Sequence, residues 1–120
     1  MSTNLVKITN KTRNTILADQ AKIADKFFSR LKGLLGEHGL KEGEGLIINR
    51  CSSIHTFFMR FKIDVVFLDK HNKVAALAHS LAPARLAGHS LKARLAIELP
   101  AGILAKTNTK KGDLIEIKAS

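Results

Sequence analysis

Residues 51–64 read Cys-Ser-Ser-Ile-His-Thr-Phe-Phe-Met-Arg-Phe-Lys-Ile-Asp and gather most of the side chains in the middle of the chain that can act as nucleophiles, acids, bases or ligands. Three chemistries fit this stretch. In the first, His55 would take a proton from Cys51 while Asp64 orients the imidazole. On an extended strand, however, positions four apart share a face but stand roughly 13 Å from each other, well beyond a hydrogen bond. A turn at Ser52-Ser53 would be needed to join the pair, and a buried inert thiol is the simpler role for Cys51.

The second chemistry is metal binding, because Cys51, His55 and Met59 recur every four residues. Structural zinc takes four ligands and catalytic zinc three plus water, whereas His38, His71, His79 and His89 are scattered. No metal or other cofactor is expected. The third is a non-covalent pocket. Strand alternation sets His55, Phe57 and Met59 on one face and Ile54, Thr56 and Phe58 on the other, and Arg60 can hold a carboxylate or phosphate bidentately. The competing structural role pairs Arg60 with Asp64 and spends His55 and Thr56 on buried backbone groups.

The elements that must position these groups are short. Residues 5–9 and 15–19 are apolar-polar runs separated by Asn-Lys-Thr-Arg-Asn, which predicts a hairpin. From Ile23 the period becomes helical: Ile23, Phe27, Leu31, Leu34 and Leu35 form an apolar stripe, predicting an amphipathic helix over 23–36. Strands are predicted at 46–48, 54–59, 63–69 and 73–79, the last two joined as a hairpin. An irregular excursion over 83–90 precedes a strand over 91–99, a short helix over 101–107 and a closing strand at 114–117.

All 120 residues suit one domain, and a 45% apolar content is enough to build a core at this size without disulfide or metal staples. The six aromatic residues, all phenylalanines, lie between 27 and 67, so the core is expected around Phe57, Phe58, Phe61 and Phe67. The longest apolar run, 74–78, is far shorter than the roughly 20 residues of a membrane span. The first residues lack the apolar stretch of a secretory signal, and Cys51 is alone, so a cytoplasmic protein is expected.

Several stretches in series resemble the prokaryotic domain-of-unknown-function family 192. They are Arg-Leu-Lys-Gly-Leu-Leu-Gly at 30–36, Gly-Glu-Gly-Leu at 43–46, the run from Ser53 to Asp69, Glu-Leu-Pro-Ala-Gly at 98–102 and Lys-Gly-Asp at 111–113. The resemblance covers about residues 15–118. It implies a small α+β domain with a curled, barrel-like sheet, and a ligand-binding or accessory role. Carried over by position, the recurrent polar residues of the family fall on Arg30, Thr56, Met59, Arg60, Asp64 and Glu98, while His55 stands where many relatives have an aromatic.

A net charge of +10 raises nucleic acid as a partner. Lys106, Lys110 and Lys111 form the one tight basic group, and the absence of Trp and Tyr argues against a base-stacking sheet. The expectation is thus an α+β fold, mainly an antiparallel curled sheet with one amphipathic and one short helix. It would bind a small anionic or polyhydroxylated ligand through Arg30, His55, Thr56, Met59, Arg60, Asp64 and Glu98 without turning it over. Nucleic-acid binding through the basic surface is the alternative, and Cys/His catalysis stands behind it.

Overall fold

The computed structural model describes residues 5–24, 40–49, 53–55, 61–81, 86–88 and 92–120. The opening hairpin forms as its turn residues predict: β1 (Val6–Asn10) and β2 (Thr15–Ala24) pair antiparallel, and Asn14 closes the turn at a left-handed φ of 57°. Register shifts interrupt this pairing between Val6 and Thr9, so Leu17 and Ala18 are buried in succession and the period of two is lost. β2 then continues to Ala24. The helix expected over 23–36 therefore does not begin at Ile23, which is a strand residue and 47% exposed. The rest of that expectation lies outside the described residues.

β3 (Glu44–Asn49), β4 (Ser53–His55), β5 (Ile63–Leu68), β6 (Val74–Leu81), β7 (Leu86–Gly88) and β8 (Leu95–Pro100) follow, then the short helix α1 (Ile103–Lys106) and β9 (Ile115–Ala119). Seven strands make one sheet in the order β6, β5, β8, β3, β2, β1, β9, while β4 and β7 pair separately. The sheet is mixed rather than uniformly antiparallel: β2 and β3 run parallel, from Gln20 opposite Glu44 to Ala24 opposite Ile48. A tight turn cannot connect parallel neighbours, which need a crossover of about a dozen residues or more. Residues 25–43 separate the two strands. The excursion expected over 83–90 contains a strand, β7, and the strand expected from 91 begins at Leu95.

The sheet curls into a half-barrel whose two edge strands meet at one end. Lys73, just before β6, bridges Leu114, just before β9, and Val74 exchanges hydrogen bonds with the carbonyl of Asp113 (2.9 Å) and the amide of Gly112 (2.8 Å). Every strand of the sheet feeds the inner cluster, among them Ile8, Leu17, Ile47, Val66, Ile97 and Ile115, and α1 plugs it with Ile103 and Leu104. At about 25 cal/mol per Å² of apolar area, this aliphatic burial is the main favourable term in folding. Of the phenylalanines around which the core is expected, the described ones belong to a second, outer cluster. There Phe67 joins Ile63, Val65 and Ala96, with Phe61 packed against them. Phe57 and Phe58 lie outside the described residues.

Two glycines within the motif stretches are fixed by their backbones. Gly43, at φ 94°, turns the chain into β3 and accepts the amides of Asp19 and Gln20, and a Cβ there would stand 2.8 Å from an Asp19 carboxylate oxygen. Gly102, at φ 99°, turns β8 into α1.

Candidate functional site

β5 and β8 are neighbours near the middle of the sheet and carry the two candidate residues whose side chains the structure describes. Asp64 lies in register with Leu99, and Glu98 with Val65. Successive side chains on a strand point to opposite faces. Asp64 therefore shares the inner face with Val66, Leu68 and Leu99, whereas Glu98 shares the outer face with Ala96, Val65 and Ile63. Both are fully buried. The sheet itself separates the two carboxylates, so they do not form one site.

Asp64 is built into the fold. One carboxylate oxygen accepts the amide of Ser80 at 2.7 Å, and the other accepts those of Gly102 (3.1 Å) and Leu104 (2.9 Å). Ser80 occupies a β-bulge: β5 and β6 pair Ile63 with Leu81 and then Val65 with Ala78, so β6 places an extra residue opposite Asp64, and Ser80 takes a φ of 47°. Gly102 and Leu104 sit at the start of α1, where amides have no partner within the helix and no local side chain caps them. A single buried carboxylate thus satisfies the bulge and the helix start together, and each charge-assisted bond is worth about 1.5–3 kcal/mol. This is the chemistry of a structural corner, with both oxygens engaged by main chain.

Glu98 stands on the other face, flanked across the ladder by Val65 on β5 and Leu46 on β3. A carboxylate removed from water among aliphatic neighbours requires cationic or hydrogen-bonding company, since desolvation costs several kcal/mol. Among the remaining candidates, the structure places His55 by its backbone in β4, opposite Leu86 of β7. Arg30, Thr56, Met59 and Arg60 lie outside the described residues, as does Cys51.

A second buried polar group was not singled out from the sequence. Asp113 accepts the side-chain amide of Asn10 (2.9 Å), the guanidinium of Arg13 (3.0 Å) and the backbone amide of Lys110 (2.9 Å). Asn10 also donates to Thr109 (3.1 Å), which shares a hydrogen bond with Thr107 (2.7 Å). Burial pushes the Asp113 carboxyl up, but Arg13, Asn10 and the Lys110 amide outweigh it and hold the group below the usual aspartate range. The network fastens the first hairpin to the last turn, about a hundred positions away in sequence, and so secures the seam of the half-barrel. Only the Lys-Gly-Asp stretch at 111–113 hinted at it. Among the described residues no group of three or more His, Cys, Asp or Glu is arranged to hold a metal ion, and no helix is long and apolar enough to cross a membrane.

Similar folds and sequences are found in prokaryotes. A protein of unknown function from Novosphingobium aromaticivorans superposes with a TM-score of 0.76 at 19% identity, over 93% of this chain and 83% of that one. A protein from Sinorhizobium meliloti described as a putative transcription regulator gives 0.75 at 17% identity, over 92% and 90%. At these identities the likeness concerns the fold. In sequence, the chain is 34% identical to a UPF0127 protein of Thermococcus sibiricus over 111 residues, 89% of this chain and 71% of that protein. It is 33% identical to a UPF0127 protein of Pyrococcus horikoshii over 112 residues, 91% and 96% of the two chains. The DUF192 family model, described as "Uncharacterized ACR", matches residues 6–117, and the chain belongs to that family.

Proposed function

We propose that the outer face of the sheet around Glu98 is the floor of a binding site for a small anionic or polyhydroxylated ligand, in a single-domain cytoplasmic protein that does not transform what it binds. The observation that carries this reading is the complete burial of the Glu98 carboxylate, in the middle of the sheet, on a face where the described neighbours in its cluster are apolar. A fold gains little stability from such a group, because hydrophobic replacements of buried ionic groups are often neutral or stabilising. Its presence is better accounted for by recognition.

In this reading Arg30 and Arg60 supply the positive donors, His55 and Thr56 neutral hydrogen bonds, and Met59 an adaptable apolar wall. Glu98 orients the arginines or accepts ligand hydroxyls. Asp64 acts from beneath as a positioning residue: its three amide bonds fix β5 and the corner that follows Glu98.

The test is an amide chemical-shift screen against pooled dicarboxylates, sugar phosphates and polyols. A binder should move amides of β3, β5 and β8 that flank Glu98. Arg60→Ala and Glu98→Gln should each remove those shifts while keeping the wild-type spectrum elsewhere. No shift with any pool, or shifts confined to other surfaces, would end the proposal.

A further inference from the structure

A different surface carries a concentration of positive charge. Two adjoining open clefts of about 560 and 400 Å³ share Asp69 and Lys92 in their walls. Lys70 and Arg94 line the first, and Lys73 and Lys111 the second. Among the described residues, five cationic side chains and one carboxylate therefore line this rim. Three other described basic residues lie beside acids: Lys106 holds Glu42 at 2.9 Å, Arg13 holds Asp113 at 3.0 Å and Lys118 approaches Glu116 at 3.6 Å.

The backbone that presents these cations is fixed. Asp69 accepts the amides of His71 (2.8 Å) and Lys73 (3.0 Å) on one carboxylate oxygen, closing the turn between β5 and β6. The amide of Arg94 is tied to the carbonyl of Leu68 at 2.7 Å, and the turn holding Lys111 is tied to β6 through Gly112 and Val74. Three separate segments thus bring their charges to one rim without further ordering of the main chain.

We propose that this rim docks the phosphodiester backbone of duplex DNA without selecting bases. Charge spread over two open clefts suits a repeating polyanion better than a compact ligand, because each neutralised phosphate releases condensed counterions. Among the described lining residues His71 is the one aromatic ring, and the chain has no Trp or Tyr, so a run of unpaired bases finds no continuous stacking platform. Nor do the described lining residues include a Ser, Thr, Asn or Gln to hydrogen-bond a ribose 2′-hydroxyl.

The experiment is fluorescence anisotropy of a labelled 20-base-pair DNA duplex titrated with the full chain between 50 and 200 mM salt. If about four or five phosphates are neutralised, the logarithmic salt slope is about −4 and affinity falls some 250-fold across that range. The triple variant Lys70→Gln, Arg94→Gln, Lys111→Gln changes exposed side chains only. It should keep the wild-type urea midpoint, lose more than about tenfold in affinity at 50 mM salt and reduce the slope by about 2.5. The control Lys7→Gln, Lys22→Gln, Lys118→Gln removes the same charge from exposed positions on β1, β2 and β9 and should lose less than about threefold. Equal losses in the two variants would overturn the assignment of this rim. So would an absence of duplex binding at 50 mM salt, or tighter binding to single-stranded DNA, duplex RNA or phosphatidylglycerol vesicles.

Discussion

Replacing Asp64 separates a structural carboxylate from a ligand-binding one. Asp64→Ala removes the acceptor of three amides at once. The Leu104 bond is buried, so its donor would bear a desolvation cost of about 2 kcal/mol; the Ser80 and Gly102 bonds are part-buried, where water can enter, and each costs about 1 kcal/mol. The sum, about 4 kcal/mol, is a large share of the roughly 5–15 kcal/mol that stabilises a domain. Asp64→Asn retains one oxygen, which can serve Gly102 and Leu104 together, but it turns an amide group toward the Ser80 donor and gives up the charge. About 2 kcal/mol is expected. In urea, with a slope near 2 kcal/mol/M, the midpoints should fall by about 2 M for alanine and 1 M for asparagine. Amide exchange at Leu104 should accelerate in the same order. A midpoint shift below about 0.5 M for Asp64→Ala, or ligand binding lost at unchanged stability, would refute the structural role.

The Asp113 network sets an acid limit. Its carboxyl, and that of Asp69, which the Lys73 amide chiefly lowers, are depressed in the folded state, so both contribute stability that is complete above the unfolded-state value and lost as pH falls through the folded-state one. Asp113→Asn should therefore be destabilised at neutral pH, by about 2 kcal/mol, and show a flatter decline in urea midpoint below pH 4. A parallel decline in variant and wild type would exclude Asp113 as a contributor. Gly102→Ala meets no atom within 4 Å of the new Cβ, so its cost is conformational: about 1–2 kcal/mol by thermal unfolding, and a neutral result would contradict the positive φ. Leu104→Ala should cost about 2–5 kcal/mol by opening a cavity under α1. Asp64→Asn and Glu98→Gln should be additive within about 0.5 kcal/mol although their strands are paired, and a larger coupling would mean that the two faces communicate.

The elements that a reader of the sequence can place are those made by local chemistry. Asn10 accepts the amide of Arg13 and Asp69 those of His71 and Lys73, each within its own turn, and both hairpins follow. Elements fixed by distant partners are harder. β2 loses its alternation at a bulge and pairs onward with β3 in parallel, so Ile23 falls in phase with the apolar stripe that follows it. Composition also hides part of the core. Among the described residues the two phenylalanines join the outer cluster, while the inner one is assembled from Val, Ile, Leu and Ala drawn from both ends of the chain.

Asp64 shows the same limit at the level of a single residue. All six residues of β5 are buried, so Ile-Asp-Val-Val-Phe-Leu has no polar face from which the direction of the aspartate can be read. Its proximity in sequence to Arg60 makes a shared site attractive, and only the register with β8 reveals that Asp64 and Glu98 look away from each other. Once Asp64 is committed to Ser80, Gly102 and Leu104, the corner after β8 is rigid, and a rigid β8 holds Glu98 at a fixed depth on the opposite face. The proposed recognition would benefit from that arrangement, because a charge held in place by the scaffold needs no ordering when a ligand arrives. In the proposed reading, the two acidic residues would divide the work of a binding site between support and contact.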